Sequence, residues 1–593
     1  MNTTKRIFLP VIFFLVFPFL IKSQTPFTEL TDSKPHDSRE VWSQLKKDFC
    51  FVWGNTDTRY PKLSIPNKKG MENKDGSLTL IQLNAWRGER VNAQAVLYSK
   101  IDLQNTTLSM SDLKSGRNRI SSSAIRINPV RYVMTDELNK DGKGGCGHRP
   151  DKTKYDSTMV ADILDIYKDN FSVPANSVQP VWLTVVVPAD AKPGLYSGML
   201  TLKTSAGKQV ALQLKLNVQN QTLPQPSEWG FHLDLWQNPY AVARFHNVPL
   251  WSEKHFELMK PLMKMLADAG QKVITTTIMH NPWNAQTYDA FDSMIGKIKN
   301  LDGSWTYNYE VFDKWVSFMI NEVGISGQIN CYTLIPWALN FDYYDVASNS
   351  IKFVNGKPGT KLYQDYWMPF LTEFARHLKS KGWFEKTTIA MDERSMEDMQ
   401  QAIKLIKQSD LNYNISLAGN YHPEIEADII DYCIAFGQEF PEKIKERREK
   451  QGLKSTVYTC CTEPFPNTFT FSAPAEAVWI GWHAAAGNYD GYLRWAYNSW
   501  TESPLQDSRF RSWAAGDCYL VYPDGRSSIR FERLIEGIQE YEKIQLLKQK
   551  WEKEPQKLAQ LNDIIRTFTI QSKGNQTTEE QVRRAKAVLN SIK

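Results

Sequence analysis

Two adjacent carboxylates, Asp392 and Glu393, are the residues of this sequence best suited to chemistry. They follow the short run Thr387–Met391, whose mostly β-favouring residues predict a strand. After them, Ser395 and Asp398 fit a capping box, and apolar residues then recur at helical spacing. The sequence therefore predicts a strand, an acidic pair and a helix in direct succession.

Such a pair is equipped for acid–base catalysis. Two touching carboxylates cannot both ionise freely, because each charge disfavours the other, so one tends to keep its proton near neutral pH. An acid beside a base is what cleavage of a glycosidic bond requires. The plainer interpretation is a solvated strand end in which Asp392 or Glu393 pairs with Arg394, and the pair taken alone favours that interpretation, so the rest of the chain must supply the argument for catalysis.

Composition narrows the class of partner. The chain has 593 residues, of which 42% are hydrophobic, so it is long enough for more than one packed domain. Its net charge is only +6 and its basic residues are scattered, which argues against nucleic acid as a partner. The 19 Trp and 25 Tyr favour a glycan, because aromatic rings stack on the apolar faces of sugars.

The first residues predict export. Lys5 and Arg6 precede the apolar run Ile7–Ile21, which is too short for a membrane span and is typical of a secretory signal peptide. We expect cleavage after Ser23, a periplasmic or secreted protein, and no membrane insertion after that cleavage.

The cysteines point to no cross-linked or metal-bound architecture. They are seven in number and widely spaced, so the sequence predicts neither a disulfide framework nor a structural zinc site. We expect no cofactor and no metal. The long, Gly-rich loop Asp136–Tyr155, which contains Cys146, is expected to reach toward the neighbouring domain rather than to bind a metal.

The hydrophobic pattern divides the chain into two main domains. Short strands separated by turns predict a β-sandwich over residues 24–225, and the apolar run Val181–Val187 predicts a strand buried on both faces. Strands then alternate with helices, which predicts a (β/α)8 TIM-type barrel over residues 226–550. Residues 1–23 are assigned to the signal peptide and 551–593 to a C-terminal helical extension. The predicted barrel strands are Phe231–Trp236, Lys272–Met279, Ile329–Ile335, Thr387–Met391, Asn414–Ala418, Tyr432–Phe436, Thr456–Cys460 and Gly491–Tyr497.

The ends of these strands predict a sugar pocket. Catalytic groups of a barrel lie at the carboxyl ends of its strands, and the acidic pair ends the fourth. Five strand ends carry Trp or Tyr, most of them beside amides, which would supply apolar walls and hydrogen bonds for a sugar. The candidate substrate-binding residues are Trp236, Trp283, Trp337, Asn420, Trp495, Tyr497 and Trp500.

Several stretches resemble glycoside hydrolase family 123, the exported β-N-acetylgalactosaminidases. They are MDE at Met391–Glu393, HLDLWQNP at His232–Pro239, GYLRWAYNSW at Gly491–Trp500, the sandwich run Pro180–Gly198 and, as the most specific, Gly516–Glu542. The resemblance implies a sandwich followed by a (β/α)8 barrel, and hydrolysis of terminal β-linked N-acetylgalactosamine. It also implies substrate-assisted catalysis by an adjacent Asp–Glu pair, which matches Asp392 and Glu393.

The spacing of the pair agrees with that implication. A retaining enzyme normally holds two carboxylates about 5 Å apart on opposite sides of the bond, which neighbours in sequence do poorly. The 2-acetamido oxygen of the substrate would instead be the nucleophile, with Glu393 as acid and base and Asp392 orienting the group. Two alternatives stay open: a hydrolase of another sugar with Asp234, Glu463 or Glu502 as nucleophile, or a glycan-binding protein without activity.

Overall fold

The computed structural model describes residues 25–32, 39–66, 78–136, 146, 157–511, 513–572 and 576–591. The predicted signal peptide and most of the loop Asp136–Tyr155 lie outside the described residues. Across the described ranges, no helix is both long enough and apolar enough to cross a membrane.

The N-terminal region is a β-sandwich, as the turn-separated strands predicted. One sheet is antiparallel throughout and contains, in spatial order, Phe49–Gly54, Arg90–Ser99, Ser177–Val186, Ile125–Asp136, Ser157–Leu164 and Ser527–Ser528. The facing sheet contains Leu80–Arg87, Gln209–Thr222, Gly194–Lys203, Leu103–Met110 and Phe171–Val173, with the short strands Leu113–Ser115 and Asn118–Ile120 at its side.

Alternation along one strand shows how the sandwich core forms. In Gln209–Thr222 every second residue from Leu212 to Val218 is buried, because successive side chains of a strand point to opposite faces. The strand Ser177–Val186 is different and is covered on both sides, as its apolar run predicted. Val181 lies in the sandwich core, whereas Trp182 packs with Ile529 at the start of a long C-terminal helix.

The second region is a nearly closed parallel barrel of eight strands. Around the barrel they are His232–Leu235, Gly491–Arg494, Lys454–Tyr458, Asp431–Ala435, Asn414–Gly419, Thr387–Met391, Gln328–Tyr332 and Val273–Thr277. The barrel is not fully closed by strand pairing between His232–Leu235 and Val273–Thr277. There the backbone N–H of Lys272 donates to Leu233 O at 3.0 Å and bridges the two strands. The predicted fold class is thus confirmed, and Thr387–Met391 is the fourth strand in chain order.

The loops after the second and third barrel strands build a small mixed sheet that the sequence did not predict. Its strands are Trp305–Asn308, Gly296–Lys299, Asn340–Asp345 and Ser350–Asn355. The last of them is mostly exposed on both faces, so it lacks the apolar alternation by which a strand is recognised.

Helices cover the barrel and extend beyond it. They are Pro239–His246, Glu253–Ala267, Glu310–Ser317 continued by the wider turns of Phe318–Val323, Lys361–Lys381, Met396–Gln408, Glu442–Lys450, Pro474–Ala486, Ile529–Lys550, Pro555–Ile565 and Thr578–Ser591. One further short helix, Arg39–Ser43, belongs to the sandwich, where its Trp42 packs. Single 3-10 turns lie at Ser122–Ala124, Pro226–Glu228, Phe384–Lys386, Glu426–Asp428 and Pro523–Gly525. The last two helices contact Pro474–Ala486, so the C-terminal segment packs on the barrel's own outer layer.

Candidate active site

The carboxyl ends of the barrel strands surround a cavity of about 370 Å³. Its lining includes both members of the acidic pair and aromatic side chains from several strand ends. The cavity is lined by Trp236, Trp283, Gln286, Trp337, Asp392, Glu393, Ala418, Tyr458, Leu493, Trp495, Trp513, Thr462 and the three cysteines Cys146, Cys460 and Cys461.

The strand–turn–helix order of the sequence brings both carboxyls to this cavity. The strand Thr387–Met391 is wholly buried and stops before the pair, and the chain bends at Glu393. Ser395 then caps the helix Met396–Gln408 by accepting from Asp398 N at 3.2 Å, while its hydroxyl donates to the Asp398 carboxylate at 2.7 Å. Because regular strand geometry ends at Met391, the two side chains need not point to opposite faces.

Asp392 is held by an indole. Trp337 Nε1 lies 3.1 Å from Oδ1 and 3.0 Å from Oδ2 of Asp392, and the Arg394 guanidinium stacks over the Trp337 ring at 5.1 Å. Burial raises the pKa of Asp392 to about 7, the bond from Trp337 opposes that rise, and the charge of Glu393 adds to it. Asp392 can therefore change its charge in the neutral range.

Glu393 has a different environment. Its carboxyl is exposed, and its Oε1 accepts a hydrogen bond from the hydroxyl of Tyr458, at the end of the seventh strand. A Cβ added to Gly419 would lie 3.7 Å from Glu393 Cγ, so the tip of the fifth strand supports the stem of this side chain. The acidic pair thus contains one partly buried carboxyl and one that faces solvent.

The cavity has an aromatic floor. Trp236 and Trp283 lie 5.2 Å apart between ring centroids, and both pack on Tyr332, at 4.5 and 5.2 Å respectively. On another side Trp495 meets Trp513 edge to face at 5.7 Å. Such rings offer an apolar surface of the kind that sugar rings cover.

A polar network lies beneath that floor, inside the barrel. Asp234 is buried, accepts from Trp236 Nε1 at 3.3 Å and does not line the cavity. Burial raises the pKa of Asp234 to about 7, and the neighbouring charge of Asp431 raises it further. Asp431 is itself 3.1 Å from His232 Nε2.

The other two candidate nucleophiles also lie off the cavity lining. Glu463 accepts from Cys460 N at 2.7 Å and from the Thr462 hydroxyl at 2.6 Å. Glu502 is exposed and lines a separate cleft. Asp392 and Glu393 are the only carboxylates among the described residues that line the cavity of about 370 Å³.

Two of the predicted pocket residues are placed in the protein core, and these placements correct the prediction. Tyr497 is buried in the protein core, where its hydroxyl donates to Leu262 O at 2.9 Å. Trp500 is likewise buried and donates to Val521 O at 2.8 Å. Both predictions were wrong because the eighth strand ends at Arg494, three residues earlier than predicted, and the chain then turns into the core. Asn420 lines a smaller neighbouring cavity and not the main one.

Sequence reasoning missed Tyr458 and Trp513. Tyr458 is the last residue of the seventh strand, so the rule that strand ends supply the site would have found it. Trp513 lies in a loop well beyond the eighth strand and is positioned when its Nε1 donates to Gln286 O at 2.7 Å. No local sequence pattern predicts this contact between Trp513 and Gln286.

A disulfide between Cys146 and Cys461 also borders the cavity, with 5.1 Å between the Cα atoms. The sequence predicted no disulfide framework, and it did not predict this single cross-link, which joins Cys146 to Cys461 in the barrel region. The sulfurs of Cys146, Cys460 and Cys461 form a group that could in principle hold a metal, and it is the one such group among the described residues. The disulfide consumes two of the three thiols. Burial, with the charge of Glu463, raises the pKa of the remaining Cys460 thiol to about 12, so the group is a poor set of thiolate ligands.

Comparison with known proteins places the chain in a family. The family model described as the catalytic domain of glycoside hydrolase 123 matches residues 236–547, and the one described as the N-terminal domain of that family matches residues 53–204. No curated protein matches the chain in sequence.

Among solved structures, the chain is similar to a family 123 glycoside hydrolase from Clostridium perfringens described in a study of glycolipid glycan hydrolysis. The identity is 27%, the match covers 92% of this chain and 98% of that one, and the TM-score is 0.81. A GH5 xyloglucanase from Bacteroides ovatus matches at 10% identity over 78% of this chain and 98% of its own, with a TM-score of only 0.27.

Proposed function

The chain belongs to glycoside hydrolase family 123, and on that premise we propose that it removes terminal β-linked N-acetylgalactosamine from glycans by a retaining, substrate-assisted mechanism. The enzyme acts from the chain end, and the sugar to be released occupies the cavity of about 370 Å³ above the aromatic floor. The alternative is a hydrolase that acts on another sugar, and an assay with substrates that differ in the sugar distinguishes the two.

One observation carries the proposal. Asp392 and Glu393 are the only carboxylates among the described residues that line the catalytic cavity, and they are adjacent in the chain. A retaining enzyme with a carboxylate nucleophile needs a second carboxyl across the glycosidic bond, about 5 Å from the acid. A nucleophile supplied by the substrate removes that need, and the 2-acetamido group of an N-acetylhexosamine is such a nucleophile.

The roles of the two carboxyls follow from their neighbours. In the first step Glu393 gives its proton to the glycosidic oxygen while the acetamido oxygen bonds to C1, so the C1–O bond breaks and an oxazolinium ring forms. Asp392 accepts the acetamido N–H and stabilises the positive charge on that ring, because its carboxylate is already oriented by Trp337. In the second step Glu393 takes a proton from water, the water oxygen bonds to C1, and the acetamido group is restored.

The two partner residues keep the pair in position. Trp337 holds both oxygens of Asp392, and Tyr458 holds one oxygen of Glu393 from across the cavity. Holding the groups before substrate arrives reduces the reorganisation that the transition state would otherwise require.

A paired assay tests the substrate class. Aryl β-N-acetylgalactosaminide and aryl β-N-acetylglucosaminide are compared with the corresponding β-galactoside, which lacks the acetamido group, and the first-formed anomer is read by NMR. We expect turnover of the galactosaminide with the β-anomer formed first, and no turnover of the galactoside. Equal activity on the galactoside would overturn the substrate-assisted mechanism. A preference for the glucosaminide would show that the released sugar is N-acetylglucosamine and not N-acetylgalactosamine.

Export is the remaining part of the proposal. Its support is the basic and apolar start of the sequence, together with a disulfide of the kind that persists in oxidising compartments. N-terminal sequencing of the natively produced protein tests it. A first residue near Gln24 is expected, and an intact Met1 on the mature protein would overturn it.

A further inference from the structure

The cavity of about 370 Å³ has to bind the polar edge of a sugar as well as its apolar face. An N-acetylhexosamine carries free hydroxyls at C3, C4 and C6, besides its anomeric carbon and its acetamido group. In the proposed function Glu393 acts at C1 and Asp392 at the acetamido group. The three hydroxyls therefore need partners among the other groups that line the cavity.

The five tryptophans that line the cavity direct their N–H groups at the protein. Four of the N–H groups donate to protein oxygens, namely Trp236 to Asp234 at 3.3 Å, Trp337 to Asp392 at 3.0 Å, Trp495 to Asp517 at 3.2 Å and Trp513 to the carbonyl of Gln286 at 2.7 Å. The fifth, Trp283, forms a hydrogen bond that opposes the rise in the pKa of Asp392. These rings thus offer carbon faces to a ligand, and their N–H groups are already engaged.

The other polar side chains of the cavity are engaged as well, with one exception. Tyr458 donates to Glu393, and the Thr462 hydroxyl donates to Glu463 Oε1 at 2.6 Å. The exception is Gln286, whose half-buried side-chain amide makes no hydrogen bond with any other described residue. Both its NH₂ and its carbonyl oxygen are therefore available to a ligand.

The backbone of Gln286 is fixed although its side chain is free. Gln286 N donates to Trp283 O at 3.2 Å, and Gln286 O accepts from Trp513 Nε1 at 2.7 Å. The preceding residue is also anchored, since Ala285 N donates to Asn281 Oδ1 at 2.8 Å. An amide on an anchored backbone loses little conformational entropy beyond that of its own side chain when it binds.

A primary amide matches one feature of the sugar. Its carbonyl oxygen and NH₂ lie side by side, so it can accept from one hydroxyl while it donates to the next. C3 and C4 carry the adjacent pair of free hydroxyls on an N-acetylhexosamine, because C2 carries the acetamido group. We propose that Gln286 binds these two hydroxyls of the released sugar and thereby sets the preference between the galacto and gluco configurations, which differ at C4. The inference rests on the proposed function and identifies the residue behind its sugar specificity.

The experiment removes the amide and the hydroxyl separately and together. Three aryl β-N-acetylgalactosaminides with the same leaving group are compared: the parent, its 4-deoxy analogue and its 6-deoxy analogue. Values of kcat/KM are measured for wild type and Gln286→Ala. The matched control is Gln408→Ala, which removes an exposed glutamine at the end of the helix Met396–Gln408, outside the cavity lining.

We expect wild type to lose about 10-fold in kcat/KM on the 4-deoxy analogue, as for loss of one hydrogen bond. Gln286→Ala should lose about as much on the parent, and it should no longer distinguish the parent from the 4-deoxy analogue, because the partner of that hydroxyl is already gone. The 6-deoxy penalty should be the same in all three proteins, and Gln408→Ala should match wild type on every substrate.

The same variant also tests the choice of sugar. The ratio of kcat/KM for the galactosaminide to that for the glucosaminide should fall about 10-fold in Gln286→Ala. An unchanged ratio, or a 4-deoxy penalty that survives in this variant, would overturn the role of Gln286. An equal fall in the 6-deoxy penalty would also overturn it, because it would indicate a general loss of sugar binding. A wild type that hydrolyses no aryl N-acetylhexosaminide would instead overturn the proposed function.

Discussion

At the scale of single residues, two neighbouring carboxyls differ because their surroundings differ. Asp392 is partly buried and receives an indole N–H, and burial raises its pKa to about 7. Glu393 is exposed and receives the Tyr458 hydroxyl. A partly buried, oriented carboxylate suits the stabilisation of a nearby cation, while an exposed group can exchange protons with a leaving oxygen and with water.

The first prediction concerns the acid. Glu393→Gln should lower kcat on a disaccharide by about 10²–10⁴-fold, the usual contribution of general acid–base assistance. A nitrophenyl glycoside should lose much less in its first step, because its leaving group needs little protonation. The comparison uses single-turnover rates and a circular dichroism spectrum as the folding control. Equal losses on the good and the poor leaving group would assign the acid role to another residue.

The second prediction concerns pH. Asp392 must be ionised to stabilise the oxazolinium ring, and its raised pKa means that protons compete for it as the pH falls through about 7. We expect kcat/KM to fall below that pH, approaching about tenfold per pH unit. Trp337→Phe removes the N–H that lowers the pKa of Asp392, so the fall should begin at higher pH. A profile that stays flat in the acidic range, or is unmoved in this variant, would contradict the assignment.

At the scale of elements, the sequence predicted what depends on local pattern. Thr387–Met391 was predicted with both of its ends, and the Ser395 cap follows from residue types at fixed spacing. Side-chain direction at a strand end is not local, since it depends on where the strand stops and where the chain then turns. Tyr497 was misplaced for that reason, and Trp513 was missed because its loop is positioned by a contact with Gln286.

The third prediction concerns the contact between two outer helices. A Cβ on Gly481 in Pro474–Ala486 would lie 2.1 Å from Gly537 O in Ile529–Lys550, so these backbones touch only because glycine stands there. Gly481→Ala should lower the free energy of unfolding by about 3 kcal/mol or more, because the backbone must move to relieve the clash.

The measurement is the thermal midpoint, with Gly230→Ala as the matched control. At Gly230 an added Cβ would meet nothing closer than 3.9 Å, so that variant should unfold as wild type does. An unchanged midpoint for Gly481→Ala would mean that the two helices are not in such close contact.

At the scale of the whole molecule, the sandwich and the barrel are joined by a buried ionic network. Asp162 of the sandwich accepts from Arg59 at 2.9 Å, from Arg530 at 2.9 Å and from Tyr522 at 2.6 Å. Arg530 lies on the long helix of the barrel region and its Nη1 donates to three further carbonyls, while its Nη2 is buried without an acceptor among the described residues. Pairing of this kind needs residues hundreds of positions apart, which no local sequence pattern reveals.

The fourth prediction concerns the disulfide between the two regions. Cys146 and Cys461 are separated by 315 positions in the sequence. Closing so long a loop lowers the conformational entropy of the unfolded chain, which raises the free energy of unfolding by up to about 5 kcal/mol. Both sulfurs border the catalytic cavity, so reduction should lower the thermal midpoint and raise KM together. Cys146→Ser should show both effects and no further response to reductant. Reduced wild type with an unchanged midpoint and KM would show that the cross-link is dispensable.

The measurement that tests the central claim most directly is the binding of a thiazoline analogue to Asp392→Asn. The analogue mimics the cyclised intermediate, so wild type should bind it tightly and the variant much more weakly, while substrate affinity changes far less. In parallel, a 2-fluoro sugar is incubated with wild type and the protein mass is determined. The account predicts no covalent adduct. Equal thiazoline affinity in both proteins, or a stable adduct on Asp234, Glu463 or Glu502, would contradict it.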